Sequence, residues 1–362
     1  MPIELIGMIG SQEESRSSDS TVHVSTASGI SPDHIAKFAR VHEASGFDQV
    51  LIGYRATTAD GFAIASYAAH YTKSLGFLIA HRPGFVQPTV AARLAATLDQ
   101  LSRGRIALHI ISGGSDADQQ RDGDFEDHDT RYRRSGEYME VMRRVWTSDE
   151  PFDYNGEFYR FAGAYSQVKP FQEPHIPLYF GGASTAAVSV GAEYADVYAL
   201  WGEPLAGVKE RIEMISEAGA MFDRIPRIQL SVRPILGKTE SAAWKRAHSI
   251  LDKLGRSPTP RDNAIASAGS EGSRRLLEYA DRSDVHDERL WMPLAVATGA
   301  AGNTTALVGT AEQIVDSLLR YYELGVRAFL MRGFDPMNDA VEYGQHLLPL
   351  LRERVEAIDK AS

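Results

Sequence analysis

The sequence predicts an α/β fold, a (β/α)8 TIM barrel with insertions. Eight short apolar segments alternate with helical patterns along the 362 residues. Strands that are apolar on both faces and alternate with helices indicate a parallel sheet covered by helices. Eight β-α repeats in one chain favour a closed barrel over an open sheet. We therefore expect residues 1–362 to form one barrel domain.

The first four predicted strands cover residues 3–10, 48–53, 75–80 and 105–112. The helix after the first strand has Ser31 as a plausible N-cap and Pro32 at its first position. Pro88 opens the helix after the third strand, and Gly104 closes it. The stretch HDTRYRRSGEYMEVMRRVW, residues 128–146, supplies the helix after the fourth strand.

The last four predicted strands cover residues 177–182, 196–202, 227–237 and 326–333. Two segments interrupt the alternation. Residues 151–161 are typical of a small hairpin that turns at Asn155-Gly156. Residues 255–305 are rich in Gly, Ser, Ala and Pro and are long for a βα loop, so we expect either disorder or a flexible lid over the site.

Composition narrows the function classes. The net charge of −10 argues against a nucleic-acid-binding protein. Cysteine is absent, which excludes disulfides, thiolate metal sites and a cysteine nucleophile. No pair of histidines with a carboxylate has metal-ligand spacing, so no metal is expected. No signal peptide and no membrane-spanning apolar run is recognisable, so we expect a cytoplasmic protein without membrane or nucleic-acid partners.

In a barrel of this kind, function resides at the C-terminal ends of the strands. Those ends carry Gly, Ser, Thr, Arg, His and aromatic residues and no carboxylate, which weakens a glycosidase interpretation. Such residues suit an organic cofactor with a phosphate group. They are Ser11, Gln12, Tyr54, Arg55, Thr57, Thr58, His81, Arg82, His109, Ser112, Gly113, Gly114, Gly181, Gly182, Ala183, Ser184, Trp201, Arg233, Arg332 and Phe334.

The segment FGGAS, residues 180–184, is the clearest phosphate-binding candidate. A strand runs into two glycines and then into Ser184 and Thr185 at a helix start, which directs backbone N–H groups and hydroxyls at an anion. Glycines at a strand–helix turn more often serve only the backbone, so this motif alone is a weak signal. IISGGSDAD, residues 110–118, has the same chemistry.

Several motifs in the same order resemble the bacterial-luciferase-like flavin monooxygenases, and within them the alkanesulfonate monooxygenases. The resemblance covers nearly the whole chain. It rests on FLIAHRPG, PTVAARLAATLDQLSRGR, HDTRYRRSGEYMEVMRRVW, PLYFGGAS, LWGEP and TALVGTAEQIVDSLLRYYELGV.

The resemblance implies FMN as cofactor. By analogy with the family, His128 and Tyr132 contact the flavin, and the Gly-Gly-x-Ser segment holds the phosphate. The family also has a cis peptide beneath the flavin ring, which would fall here at Ala80–His81. The cofactor-binding residues expected are Ala80, His81, Ser112, His128, Tyr132, Gly182, Ala183 and Ser184.

The family chemistry implies two components. A separate NAD(P)H-dependent reductase delivers FMNH2, O2 is the co-substrate, and a flavin C4a-peroxide oxygenates the substrate. Such chemistry needs a site without water, which gives the 255–305 segment a use as a lid. Relatives are commonly oligomers, so a homodimer or homotetramer is expected.

The resemblance also indicates a small organosulfur substrate, an alkanesulfonate-type compound that would be desulfonated. Trp201 and Arg233 correspond to the sulfonate-site Trp and Arg of those enzymes, and a guanidinium offers two planar donors to a sulfonate. Thr58 takes the place of their cysteine after strand 2, and its hydroxyl could bond the flavin peroxide. These three are the expected catalytic residues.

Five positions depart from the alkanesulfonate pattern and leave a less polar pocket: Gln12, Ile235, Thr298, Phe334 and Pro336. Three alternatives therefore stay open. The chain could oxygenate a non-sulfur substrate such as a ketone or an amine. It could be a deazaflavin-dependent oxidoreductase, or a non-catalytic flavin-binding relative.

Overall fold

The computed structural model describes residues 3–11, 29–255, 270–300 and 302–361. The strands are β1 (Glu4–Ile9), β2 (Gln49–Ile52), β3 (Gly76–His81), β4 (Ile106–Ile110), β5 (Phe152–Asn155), β6 (Arg160–Ala164), β7 (Leu178–Gly181), β8 (Val197–Trp201), β9 (Arg227–Leu236), β10 (Val285–His286), β11 (Leu290–Trp291), β12 (Ala306–Gly309) and β13 (Val326–Met331). Eight of them form a closed parallel barrel in the order β1-β2-β3-β4-β7-β8-β9-β13. The predicted (β/α)8 barrel is confirmed.

Helices surround the barrel. They are α1 (Pro32–Ala44), α2 (Gly61–His70), α3 (Pro88–Ser102), α4 (Asp116–Arg121), α5 (His128–Thr147), α6 (Thr185–Tyr194), α7 (Leu205–Ala220), α8 (Glu240–Gly255), α9 (Glu271–Arg282), α10 (Pro293–Ala297), α11 (Ala311–Glu323), α12 (Pro336–Glu342) and α13 (Leu348–Ala361), with a π-helical turn at Tyr343–Leu347. No helix in the described ranges is long and apolar enough to cross a membrane.

Polar caps fix where the helices begin. Ser31 accepts a hydrogen bond from the His34 backbone at the start of α1, as predicted. Asp127 caps α5, and Ser184 caps α6. Each cap satisfies one of the N–H groups that the first helical turn leaves without a partner. Because α5 and α6 begin at the C-terminal side of the strands, their polar caps lie around the mouth of the barrel.

The barrel interior is filled by apolar side chains that alternate along the strands. The innermost cluster contains Ile6, Leu78, Ala107, Tyr179, Val197, Ala328 and Leu330. At the N-terminal end of the barrel the Tyr179 hydroxyl donates to Glu4 at 2.9 Å, and Arg227 pairs with the same carboxylate at 2.5 Å. Because the interior is filled with side chains, we expect the functional site at the opposite, C-terminal end of the barrel.

The two predicted insertions take definite forms. Strands β5 and β6 form the antiparallel hairpin, with Asn155 paired to Arg160, so the turn is two residues longer than predicted. Of the segment 255–305, residues 256–269 and 301 lie outside the described residues. Its described part forms α9, α10 and two short strands, and Arg275 of α9 holds Glu203 with two hydrogen bonds of 2.8 and 2.7 Å.

The predicted cis peptide at Ala80–His81 is wrong. This bond is trans, and Glu173–Pro174 is the single cis peptide within the described ranges. The parallel ladder between β3 and β4 continues through Ala80–His109 and His81–Ile110. A regular strand therefore runs to the barrel mouth at this point.

Candidate active site

Ala80 and His109 lie side by side at the C-terminal end of the barrel. They are register partners, and His109 is also paired with Tyr179, a member of the innermost cluster. Both side chains therefore face the barrel interior. Burial lowers the pKa of His109 to about 4, so its imidazole is neutral at pH 7.

His81 faces the other way. Its Nε2 shares a hydrogen bond of 2.7 Å with the Tyr138 hydroxyl on α5, and its ring packs edge-on against Phe62. Burial lowers the pKa of His81 to about 4, with a smaller opposing effect of Asp60. The side chain thus anchors the end of β3 in the layer of helices, and the interior-facing surface at this point comes from Ala80.

The start of α5 combines an exposed and a buried ring. The His128 side chain is 46% exposed, and its Nδ1 lies 2.7 Å from Asp129. Its ring centroid lies 4.8 Å from that of Tyr132, which is buried and packs edge-on against Phe180. The two expected flavin contacts therefore form one aromatic ledge at the barrel mouth.

The loop after β7 lies directly against this ledge. Gly182 has φ +152°, and a Cβ atom there would be 2.6 Å from the Tyr132 hydroxyl oxygen and 2.5 Å from Ala187 Cβ. Ser184 follows and accepts a hydrogen bond of 3.2 Å from the Ala187 backbone. Burial raises the pKa of Tyr132, and interaction with Ser184 opposes that rise. The structure thus brings together His128, Tyr132, Gly182, Ala183 and Ser184.

Ser112 lies beneath α5. Its hydroxyl forms a hydrogen bond of 2.8 Å with that of Ser135, and both residues are buried. Arg131 donates to the Ser112 carbonyl at 3.2 Å and pairs with Asp116 at 2.8 Å. Arg131 therefore ties the loop after β4 to α5, and the Ser112 hydroxyl is turned toward the helix.

The three expected catalytic residues are in separate environments. The Thr58 hydroxyl donates to the Arg55 carbonyl at 3.0 Å, which closes a local turn. Trp201 is half-buried against α9, where a Cβ at Gly272 would lie 3.0 Å from its ring. The Arg233 guanidinium lies 3.6 Å from the centroid of the Phe334 ring and donates to the Gly333 carbonyl at 2.8 Å.

Most positions that depart from the alkanesulfonate pattern are packing residues. Ile235 and Phe334 belong to a small apolar cluster with Trp291. The Thr298 hydroxyl donates to the Leu294 carbonyl at 2.8 Å, and Pro336 opens α12. The remaining departure, Gln12, lies outside the described residues.

Sequence reasoning missed two buried arginines. Arg82, noted only as a strand-end residue, pairs with Asp118 at 2.5 Å and Asp122 at 3.5 Å, and its guanidinium lies 4.5 Å from the Tyr54 ring centroid. Arg211 on α7 is 5% exposed and donates to the Ala183 carbonyl. The spacing in the sequence could have indicated that Arg211 is buried, since it lies on the same helical face as the apolar residues at 208 and 215.

Comparison with protein families identifies the family of the chain. The family model described as luciferase-like monooxygenase matches residues 14–328. The chain belongs to this family. Membership confirms the predicted family and the prediction that the chain is an enzyme of the flavin-dependent monooxygenase class.

Solved structures with the same fold carry different chemistries. A riboflavin lyase (RcaE), solved with modified FMN and riboflavin, has a TM-score of 0.78 at 20% identity over 98% of this chain and 92% of that one. A long-chain alkane monooxygenase (LadA) has a TM-score of 0.76 at 17% identity over 98% and 92%. An F420-dependent secondary alcohol dehydrogenase has a TM-score of 0.70 at 17% identity over 97% and 99%. At these identities the likeness establishes the fold.

Proposed function

We propose that this luciferase-like enzyme is an FMNH2-dependent monooxygenase that receives reduced flavin from a separate NAD(P)H-dependent reductase. One observation carries the proposal: the start of α5, with His128 and Tyr132, lies against the Gly182–Ser184 loop at the barrel mouth. Two neighbouring aromatic rings, inclined at 56° to each other beside a helix N-terminus, match a cofactor that has both a ring system and a phosphate.

The residues present fit FMN. The Gly182 backbone approaches the Tyr132 hydroxyl so closely that any side chain would fill the space between them. The first N–H groups of α6 have no acceptor within their own helix, and an anion satisfies them. A buried arginine, Arg211, contacts the carbonyl side of the same loop. This is a donor set for a phosphate monoester.

The chain contributes positioning and exclusion of water. Reduced FMN, when bound, supplies the electrons that activate O2. Ala80 and the neutral His109 offer a small apolar surface and a hydrogen-bonding group inside the mouth. Trp201 and α9 close one side, and the Arg275–Glu203 pair holds α9 in place. We propose that residues 255–305 act as the lid.

We further propose a small organosulfur substrate of the alkanesulfonate type, with Arg233 and Trp201 as its contacts. A buried guanidinium in the second half of β9 supports an anionic substrate. The second candidate is a non-sulfur substrate without an anionic group, such as a ketone or an amine. It is favoured by the contacts of Arg233, whose guanidinium already lies on Phe334 and donates to Gly333.

An anaerobic titration tests the proposal. Reduced FMN, oxidised FMN and reduced F420 are added separately to the full chain, and binding is followed by flavin fluorescence or calorimetry. We expect the tightest binding for reduced FMN and, after oxygen is admitted, O2 consumption coupled to substrate oxygenation. Tight binding of F420 alone would establish the deazaflavin alternative, and oxidised flavin bound without substrate-dependent O2 use would indicate a non-catalytic relative.

Replacing Ser184 with alanine tests the phosphate contact. If its hydroxyl bonds the phosphate, FMN affinity falls by about 1–2 kcal/mol. The substitution also removes the α6 cap, at a cost of about 1 kcal/mol in the free energy of unfolding. Ser31→Ala is the matched control, because Ser31 caps α1 in the same way. We expect Ser31→Ala to lower the free energy of unfolding and to leave the FMN affinity unchanged. Unchanged FMN affinity in Ser184→Ala would remove Ser184 from the site.

Arg233→Ala separates the two substrate candidates. Sulfite release from short alkanesulfonates is compared with turnover of ketones and amines of matched length. If Arg233 binds a sulfonate, kcat/KM falls selectively for the anionic substrates, by about 10- to 100-fold. Arg233→Lys, which keeps the charge, should retain part of that preference. An equal loss for the sulfonates and for the ketones and amines would make the residue structural and overturn the sulfonate proposal.

We propose that two copies of the chain associate through α3. Val90, Leu94 and Leu101 lie at helical spacing on its outer face and are 38%, 48% and 74% exposed. Leu94→Glu with Leu101→Glu should convert the oligomer to a monomer in light scattering after gel filtration. Met221→Glu, at a residue that is 82% exposed after α7, is the control. An oligomer that survives the double substitution would place the interface elsewhere.

A further inference from the structure

The backbone of the Gly182–Ser184 loop is held from its carbonyl side by two side chains. The Tyr198 hydroxyl donates to the Gly182 carbonyl at 2.8 Å, and the Arg211 guanidinium donates to the Ala183 carbonyl. Both peptide bonds of this loop are trans. In a trans peptide the N–H points opposite to the C=O. The N–H groups of Ala183 and Ser184 are therefore directed away from Tyr198 and Arg211, at the other face of the loop.

Among the described residues, no carboxylate forms a salt bridge with the positively charged Arg211. It is 5% exposed, and its other described contact is the Met214 sulfur at 3.5 Å. Glu271 acts on it through space but is itself paired with Arg274. Other buried arginines have carboxylate partners: Arg82 pairs with Asp118 at 2.5 Å, and Arg131 with Asp116 at 2.8 Å.

A buried charge without a counter-charge is costly, and a bound anion removes that cost. One neutral donor would be enough to hold the Ala183 carbonyl, so the guanidinium supplies more than that hydrogen bond requires. The charge also lies beside the N-terminus of α6, which itself favours an anion. The electrostatic fields of the Arg211 charge and of the α6 N-terminus therefore add on the N–H face of the loop.

We propose that Arg211 is the positioning residue and charge partner of a phosphate monoester bound at Gly182–Ser184. It orients the Ser184 N–H through the Ala183 carbonyl and offsets the charge of the phosphate across the loop. The proposal rests on the proposed function, in which that monoester is the phosphate of FMN. Arg211 thereby sets the preference for FMN over riboflavin, which has the same ring system without the phosphate.

The test measures dissociation constants of FMN and riboflavin, both reduced, for the wild-type chain, Arg211→Gln and Arg211→Lys. Arg143→Gln is the matched control, at a partly buried arginine whose acidic partner is also held by Arg224. We expect Arg211→Gln to bind FMN about 10- to 100-fold more weakly and riboflavin as before, because the variant loses the charge that offsets the phosphate across the loop. Arg211→Lys should lie between, and Arg143→Gln should keep the wild-type ratio.

If Arg211→Gln leaves the ratio of the FMN and riboflavin dissociation constants unchanged, this role is overturned. Equal weakening of both flavins would make Arg211 a structural residue. Failure of the wild-type chain to bind either flavin would instead overturn the proposed function. In that case the role of Arg211 is tested by measuring Tm with and without inorganic phosphate. A phosphate-dependent rise in Tm that Arg211→Gln abolishes would support it, and no rise in the wild type would refute it. Circular dichroism of each variant shows that the fold is retained.

Discussion

Gly182→Ala is expected to abolish tight flavin binding and to destabilise the fold. The new methyl group would lie 2.6 Å from the Tyr132 hydroxyl oxygen and 2.5 Å from Ala187 Cβ, and the residue would keep a φ of +152°. Backbone strain and overpacking each cost about 1–3 kcal/mol, so the free energy of unfolding should fall by about 2–6 kcal/mol. Urea unfolding and a titration with reduced FMN measure the two effects.

The control for this substitution is Gly325→Ala. Gly325 has φ +110°, and a Cβ there meets no atom within 4 Å, so the variant carries backbone strain without a steric clash. It should lose part of the stability and none of the flavin affinity. Wild-type FMN affinity in Gly182→Ala would contradict the placement of the cofactor between the α5 ledge and the α6 start.

The barrel could be predicted because its signal is local and repeated. Each strand is a short apolar run, and caps such as Ser31 mark where helices begin. The eight repeats then define the closure. Strands β10 and β11 escaped prediction because they have two residues each, and β12 because it is short and directly follows a segment whose composition indicated a loop. Those strands are stabilised by pairing with one another and with the second half of β9, a long-range contact that no local pattern encodes.

The site was predictable where side-chain identity alone implies the chemistry. Gly182 and Ser184 are placed by a strand–turn–helix motif, and the structure brings Tyr132 beside them. Side-chain direction was the part that residue identity could not supply. His81 and His109 both stand at strand ends, but one faces the helices and the other the barrel interior. Alternation along a strand fixes that choice only when the register with its neighbours is known.

A steep loss of stability between pH 6.5 and pH 5 is the second large expected effect. Burial lowers the pKa of His42, His81 and His109 to about 4, whereas an unfolded chain has histidine pKa values near 6.5. Within that window the unfolded state binds more protons, so stability is present above pH 6.5 and is lost as pH falls. Each histidine contributes about 1.4 kcal/mol per pH unit, so the three together remove roughly 6 kcal/mol at pH 5.

The substitution His42→Gln measures the contribution of a single histidine to this pH dependence. The His42 ring is buried between Phe38 and Phe47, and this burial favours the neutral form. The bond of 3.0 Å from its Nδ1–H to the Phe38 carbonyl opposes that shift without cancelling it. Urea unfolding from pH 7 to pH 5 should show the slope of stability against pH reduced by about one proton in this variant. His70→Gln, at an exposed residue that ends α2, should keep the wild-type slope. Equal slopes in all three proteins would assign the acid sensitivity to other groups and would mean that the His42 site admits the imidazolium.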